Sequence, residues 1–120
     1  MNKKIIIYQV LPRLYGNKVA NPVPYGSIER NGCGKFVDFT SARLKKIRDL
    51  GVTHVWFTGI LEHATTTDYT AYGIKKDCES IVKGNAGSPY AVKDYYDVDP
   101  DLAVNVPQRM EEFEALLART

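Results

Sequence analysis

Residues 39–58 read FTSARLKKIRDLGVTHVWFT, and this stretch decides the fold class. Residues 39–50 predict a helix, because apolar side chains recur at three-residue spacing while basic side chains occupy the intervening positions. Asp38 or Thr40 is the expected N-cap, and Gly51 stands where a glycine commonly follows the last turn of a helix. The helix is therefore bounded on both sides by residues that favour its ends.

Two apolar segments flank this helix. Residues 4–11 (KIIIYQVL) precede it across the irregular residues 15–35, and residues 52–58 (VTHVWFT) follow it directly. Residues 4–11 form a nearly continuous apolar run, which is typical of a strand that is covered on both faces. The order strand, helix, strand predicts a βαβ unit and hence a parallel strand pair.

The second half of the chain is interpreted as a long loop followed by a helix. Residues 59–104 contain scattered Gly and Pro, and only residues 77–82 look locally regular. Connections of this length are usually functional. Residues 106–119 predict a helix with Asn105 as N-cap and Pro107 in the first turn. A helix after a parallel strand calls for a third strand, which this sequence does not contain.

Length and composition exclude several classes of protein. The chain has 120 residues, of which 44% are hydrophobic, and a net charge of only +2, so neither disorder nor a nucleic-acid partner is expected. No run approaches the ~18 apolar residues of a membrane span. The apolar run at the start ends at Ile7 without a cleavage site, so a cytoplasmic protein is expected. A (β/α)₈ barrel needs about 200 residues, so this chain cannot close one.

The spacing of potential ligands argues against a bound metal. Cys33 and Cys78 have neither a CxxC partner nor paired histidines, so free thiols are favoured over a zinc site or a disulfide. Residues 97–101 (DVDPD) resemble the start of an EF-hand loop, but Leu102 occupies the position that requires glycine. No metal or cofactor site is therefore assigned to this chain.

One histidine and one carboxylate merit attention. His54 lies inside the second strand and is interpreted as a framework residue. His63 lies just beyond the carboxyl end of that strand, where βα units bind ligands, and it either faces a site or belongs to the framework. Glu62 could act as an acid, but one carboxylate does not make a catalytic pair.

Four segments in a fixed order carry a family resemblance. Residues 7–13 (IYQVLPR) and 50–58 (LGVTHVWFT) frame the predicted helix, and residues 90–100 (YAVKDYYDVDP) precede a helix that contains residues 110–116 (MEEFEAL). Together they resemble the N-terminal part of the α-amylase family of glycoside hydrolases. The resemblance covers nearly all of the chain, in the order that the family shows.

The resemblance implies an α/β fold that is an incomplete (β/α)₈ TIM barrel: the first two β/α units, with residues 59–104 as a long loop after the second strand. It also implies a retaining hydrolase of starch and maltooligosaccharides, with an Asp nucleophile and a Glu acid/base. In the family these carboxylates come from later strands. No catalytic residue is therefore assigned here, and the chain alone is expected to be inactive. The resemblance implies that a full-length enzyme can bind calcium.

By resemblance, Tyr90 matches the family tyrosine that stacks on the sugar ring before the cleavage point. Ala91 stands where exo-acting α-glucosidases often carry Asp, which favours an endo-acting enzyme. Additional sugar contacts are expected from His63, Tyr69 and Tyr72, or else these residues pack their loop on itself. Asp94 and Asp99 match family positions interpreted as turn and loop anchors.

A second interpretation is a non-catalytic sugar-binding or protein-interaction module. Two parallel strands leave edges unpaired, so such a module would need partner chains, and a fragment could self-associate through the same edges. The expected partner in the first interpretation is an α-glucan oligosaccharide or polysaccharide. Neither interpretation includes a nucleic acid or a membrane as partner.

Overall fold

The computed structural model describes residues 3–120; Met1 and Asn2, which begin the leader-like start of the sequence, lie outside it. Four strands and four helices occur in the described part of the chain: β1 (Ile7–Val10), α1 (Pro12–Tyr15), α2 (Ile28–Asn31), α3 (Ser41–Asp49), β2 (His54–Phe57), β3 (Leu61–His63), β4 (Val92–Val98) and α4 (Arg109–Arg119). Single 3₁₀ turns are found at Phe36–Asp38, Thr70–Tyr72, Glu79–Ile81, Pro100–Leu102 and Val106–Gln108.

The predicted βαβ unit is present. Strands β1 and β2 pair in parallel, with Ile7 opposite His54. Helix α3 begins after Thr40, whose hydroxyl oxygen accepts a hydrogen bond from the Arg43 amide at 3.2 Å. Gly51 follows the helix with φ +91°, a conformation that glycine adopts without strain. The predicted cap, helix and parallel pairing are therefore confirmed, although both strands are shorter than the apolar segments.

The core lies between this βαβ unit and helix α4. Phe36 and Phe39 are fully buried, and the Tyr15 ring stacks on Phe39 with 4.5 Å between the ring centroids. Phe57 meets Phe39 edge-on at 5.1 Å. Arg119, at the end of α4, donates to the carbonyl oxygens of Phe39 at 2.9 Å and Phe36 at 3.0 Å. These bonds join the end of α4 to the segment that precedes α3.

The other face of the parallel sheet is open. The side chains of Ile7, Gln9, His54 and Trp56 alternate with the core-facing ones and are exposed. Within residues 3–120, β1 and β2 form a sheet of two strands only. The described part of the chain therefore contains no closed barrel.

The segment predicted as a long loop contains a second sheet. Strands β3 and β4 pair antiparallel, with a register irregularity around Glu62. The alternation along β4 is hidden in the sequence because two of its inward positions are Asp94 and Asp97 rather than apolar residues. The locally regular stretch expected at 77–82 is only a 3₁₀ turn, Glu79–Ile81.

The last helix begins differently from the prediction. A 3₁₀ turn at Val106–Gln108 precedes α4, and the Asn105 side chain bonds the Gln108 side chain instead of capping a backbone amide. The Glu112 carboxylate accepts from the backbone amides of Val104 at 2.9 Å and Asn105 at 2.8 Å. Helix α4 therefore holds the preceding turn in place through the side chain of its own Glu112.

Among the described residues, no helix is long and apolar enough to cross a membrane.

Candidate functional site

Charged and polar side chains from four separate segments meet in one buried network. Arg13 comes from α1, directly after β1, and His63 ends β3. Asp99 and Asp101 flank the Pro100 turn after β4, where the Asp99 carboxylate accepts a hydrogen bond from the Asp101 amide at 3.0 Å. The strand and turn geometry thus places both carboxylates on the same side of the loop.

His63 is held by acceptors on both ring nitrogens. Its Nε2 lies 3.0 Å from Asp99 Oδ2, and its Nδ1 lies 3.0 Å from the carbonyl oxygen of Ala64. The side chains of His63 and Asp99 are only 2% and 1% exposed. Burial by itself lowers the pKa of His63, but the hydrogen bond and charge of Asp99 outweigh it, so the pKa is raised. The geometry favours the imidazolium form, in which both nitrogens donate.

Arg13 and Tyr69 converge on the second carboxylate. Arg13 Nη2 donates to Asp101 Oδ2 at 2.5 Å and lies 3.5 Å from Asp99 Oδ2. The Tyr69 hydroxyl donates to Asp101 Oδ1. Burial and the charge of Asp101 raise the pKa of Tyr69, so it remains a protonated donor. Two carboxylates thus face an arginine and a histidine whose imidazolium form they favour.

The raised pKa of His63 predicts a pH-dependent stability. A histidine whose pKa is higher in the folded state stabilises the fold fully below its unfolded pKa, near 6.5, and loses that contribution as the pH rises through the folded pKa. The difference in unfolding free energy between the native chain and His63→Gln should therefore be larger at about pH 5.5 than at about pH 9, as measured by urea denaturation. The matched control is His54→Gln, which removes an exposed ring outside the network. A difference that is constant or grows with pH would contradict the geometry.

Tyr90 lies on a turn that the same region holds in place. Its amide donates to the Ser88 hydroxyl oxygen at 3.2 Å, and the Ala91 amide donates to the Ser88 carbonyl oxygen at 3.0 Å. The Ala91 carbonyl oxygen in turn accepts from the Ala64 amide at 3.2 Å, which ties the turn to the end of β3. The Tyr90 side chain is nevertheless exposed, at 73%. The backbone is fixed and the ring remains available.

The four predicted sugar-binding residues therefore have different surroundings. His63 and Tyr69 are buried in the polar network, Tyr72 is half exposed with its ring 6.4 Å from that of Tyr69, and only Tyr90 offers a largely free ring. Sequence reasoning missed the roles of Arg13 and Asp101. The sequence indicates these roles only weakly, because the alternate acidic residues of the segment 97–101 resemble the start of a calcium-binding loop and nothing nearby links them to Arg13.

A cluster of three acids lies beside β3 and β4. Carboxylate oxygens of Glu62, Asp94 and Asp97 lie within 4.8 Å of one another. Arg109 forms a two-pronged bond to Asp97 at 2.6 and 2.9 Å, and Lys93 lies 3.3 Å from Glu62. Burial raises the pKa of Glu62, against the lowering effect of Lys93. Basic side chains thus pair with two of the three acids of the cluster, Glu62 and Asp97.

The partly buried Cys33 thiol is not suited to nucleophilic chemistry. Burial, against the opposing charges of Arg13 and Lys35, raises its pKa to about 11. The thiol is therefore almost entirely protonated at neutral pH. Cys78 is exposed, and both cysteines are free thiols, as the sequence predicted.

The chain was compared with known proteins at three levels. No family model matches it, and no curated protein or solved structure matches it either.

Proposed function

We propose that this chain is the N-terminal portion of a retaining, endo-acting α-glucan hydrolase of the α-amylase type. It contributes an aromatic sugar platform, whereas the catalytic carboxylates belong to later strands. The observation that carries the proposal is the Tyr90 ring, exposed on a turn whose backbone is fastened to the end of β3.

The position of the polar network supports the proposal. Arg13 follows the carboxyl end of β1, and the segment that leads to His63 follows the carboxyl end of β2. In parallel β/α folds, ligands bind at the carboxyl ends of the strands. The network buries the charges there and fixes the loops from which an exposed ring can reach a ligand.

The chemistry of Tyr90 suits a sugar. A tyrosine ring offers an apolar face to the C–H face of a pyranose, and its hydroxyl remains free for a hydrogen bond. Because the Ser88 and Ala91 bonds already order the turn, binding costs little additional backbone entropy.

The open sheet face distinguishes the fragment from the alternative module. Exposed Ile7 and Trp56 lie on the uncovered face of β1 and β2, and further strands of a barrel would cover them. A specific observation favours the module: no buried side-chain nitrogen or oxygen in the described residues lacks a hydrogen-bond partner. Sedimentation together with thermal unfolding separates the two. A module stays a monomer with one cooperative melt until its partner chain is supplied, whereas a fragment associates with itself through its open strands.

The proposal is tested by titrating the isotope-labelled chain with maltohexaose and following the amide NMR signals of Ser88 and residues 90–92. Tyr90→Ala should raise the Kd reported by these amides about tenfold, whereas Tyr90→Phe keeps the stacking face and should leave it within about twofold. Tyr96→Ala is the matched control, because Tyr96 lies on β4 and its side chain is even more exposed than that of Tyr90, at 95%.

Two outcomes would overturn the proposal. One is binding that Tyr90→Ala leaves unchanged, or no binding of maltohexaose at these amides. The other is release of reducing sugar from starch by the 120-residue chain itself, because the proposal places the catalytic carboxylates outside it. Inactivity together with Tyr90-dependent binding is the expected result.

A further inference from the structure

A second cleft lies between two irregular segments, residues 14–32 and residues 66–86. Its volume is about 520 Å³, within the range of about 300–1,000 Å³ that small-molecule sites occupy. Arg13 and Asp101 of the buried network form part of its wall. Tyr90 does not line this cleft, so the cleft is separate from the aromatic platform.

Tyr25 lines the cleft in an unusual backbone conformation. Its φ is +56°, and within residues 3–120 it is the only residue other than glycine with a positive φ. Its side chain is 80% exposed. A bulky residue in the left-handed region is strained, and such strain persists where the surroundings enforce it, often at binding sites.

Asn85 enforces this conformation from the opposite wall. Its side-chain amide donates to the Tyr25 carbonyl oxygen at 2.5 Å and to that of Gly26 at 3.4 Å. Its backbone carbonyl accepts from the hydroxyls of Thr66 at 2.9 Å and Thr65 at 3.2 Å. The two segments are thus bridged, and the aromatic ring is presented beside the space between them.

The lining favours a neutral hydroxylated ligand. The hydroxyl protons of Ser27 and Thr67 and the side-chain carbonyl oxygen of Asn85 remain available to pair with sugar hydroxyls, whereas the amide of Asn85 and the hydroxyl proton of Thr66 already bond within the chain. Two basic residues, Arg13 and Lys83, also line the cleft, but three acidic residues do so too, and this excess of negative charge disfavours a phosphate or another anion: Glu29, Asp68 and Asp101. An exposed aromatic ring beside hydroxyl, amide and carboxylate groups is a combination that suits a pyranose.

We propose that this cleft is a second oligosaccharide-binding site, with Tyr25 as its stacking residue and Asn85 as the residue that positions it. The choice of α-glucan as ligand rests on the function proposed above. The cleft itself is inferred from the geometry of Tyr25, Asn85 and the polar wall.

The test uses the same maltohexaose titration, now followed at the amides of Gly26 and Asn85. Tyr25→Gly relieves the backbone strain and removes the ring, so it should raise the midpoint of urea unfolding while weakening binding at these amides about tenfold. Tyr25→Phe keeps both the strain and the ring and should bind within about twofold of the native chain. Tyr96→Ala again controls for loss of an exposed tyrosine.

The outcomes separate the two sites. Shifts confined to residues 88–92, or unchanged binding in Tyr25→Gly, would overturn the second site and leave the Tyr90 proposal standing. Shifts at Gly26 and Asn85 that depend on Tyr25 and survive Tyr90→Ala would establish it, even if the Tyr90 platform failed. Equal binding of cellohexaose at the cleft would overturn the assignment to α-glucans.

Discussion

Replacing Asp101 with Asn is expected to lower the free energy of unfolding by about 3 kcal/mol. The change keeps the volume and the backbone carbonyl, which accepts from Lys35 Nζ at 2.5 Å, but removes the charge that Arg13 and Tyr69 share. Asp99, whose Oδ2 lies 3.5 Å from Arg13 Nη2, is then the carboxylate that remains paired with Arg13. Breaking a buried pair costs about 3–5 kcal/mol, and the lower end applies because the Arg13 side chain retains some exposure.

Asp49→Asn is the matched control for this substitution. Asp49 pairs with Lys45 at 2.7 Å on the exposed face of α3, and such pairs contribute only about 0.5 kcal/mol or less. Urea denaturation of the two variants at neutral pH measures the comparison. Equal losses would mean that the buried network adds no more to stability than a surface pair.

Gly87→Ala is expected to destabilise the chain by about 3 kcal/mol or more, the sum of left-handed strain and overpacking. Gly87 has φ +79°, and a Cβ atom there would lie 1.8 Å from the carbonyl oxygen of Ala64 and 3.2 Å from His63 Nδ1. Both neighbours are fixed, one as backbone and the other by its bond to Asp99. The substitution should therefore displace the turn that carries Tyr90 as well as lower stability.

Gly73→Ala separates the clash from the backbone strain. Gly73 also has φ +79°, but a Cβ atom there would meet nothing within 4 Å. Its cost should be about 1–2 kcal/mol, from the left-handed conformation alone. Thermal and urea unfolding of the two variants give the difference, and equal costs would show that the close approach to Ala64 is easily relieved.

The sequence allowed prediction of the elements whose signals are local. The apolar spacing of α3, its cap at Thr40 and the glycine after it all act within a few residues, and the structure has each of them. The parallel pairing of β1 and β2 followed from the order of elements. Helix α3 and its ends depend on sterics and hydrogen bonds between residues close together in the chain, so the residue types there predict them directly.

Strand β4 could not be predicted in this way because its inward positions are charged. Asp97 is paired with Arg109, twelve residues further along, and Asp94 lies beside Asp97 and Glu62, of which Glu62 is paired with Lys93. A strand whose covered face depends on ion pairs has no alternation of apolar and polar residues to detect.

In the candidate sites, too, features that depend on residues far apart in the chain could not be predicted from the sequence. Tyr90 was singled out through the family resemblance. The pairing of Arg13 with Asp101 joins residues 88 positions apart, and no local pattern indicates it. Nothing in the sequence marks Tyr25 as left-handed either, since glycine and asparagine are the residues that usually adopt that conformation. Its geometry is imposed by Asn85, 60 positions away.

The bonds from Arg119 to Phe36 and Phe39 have a consequence for how the chain folds. They join residues 83 and 80 positions apart, and the Arg13–Asp101 pair spans 88. Closing such large loops lowers the conformational entropy of the chain before the long-range contacts can offset this loss, and folding is therefore slow. A ribosome must therefore release almost the entire segment before its core can close. Until then, the apolar side chains of β1 and β2 have no last helix to pack against.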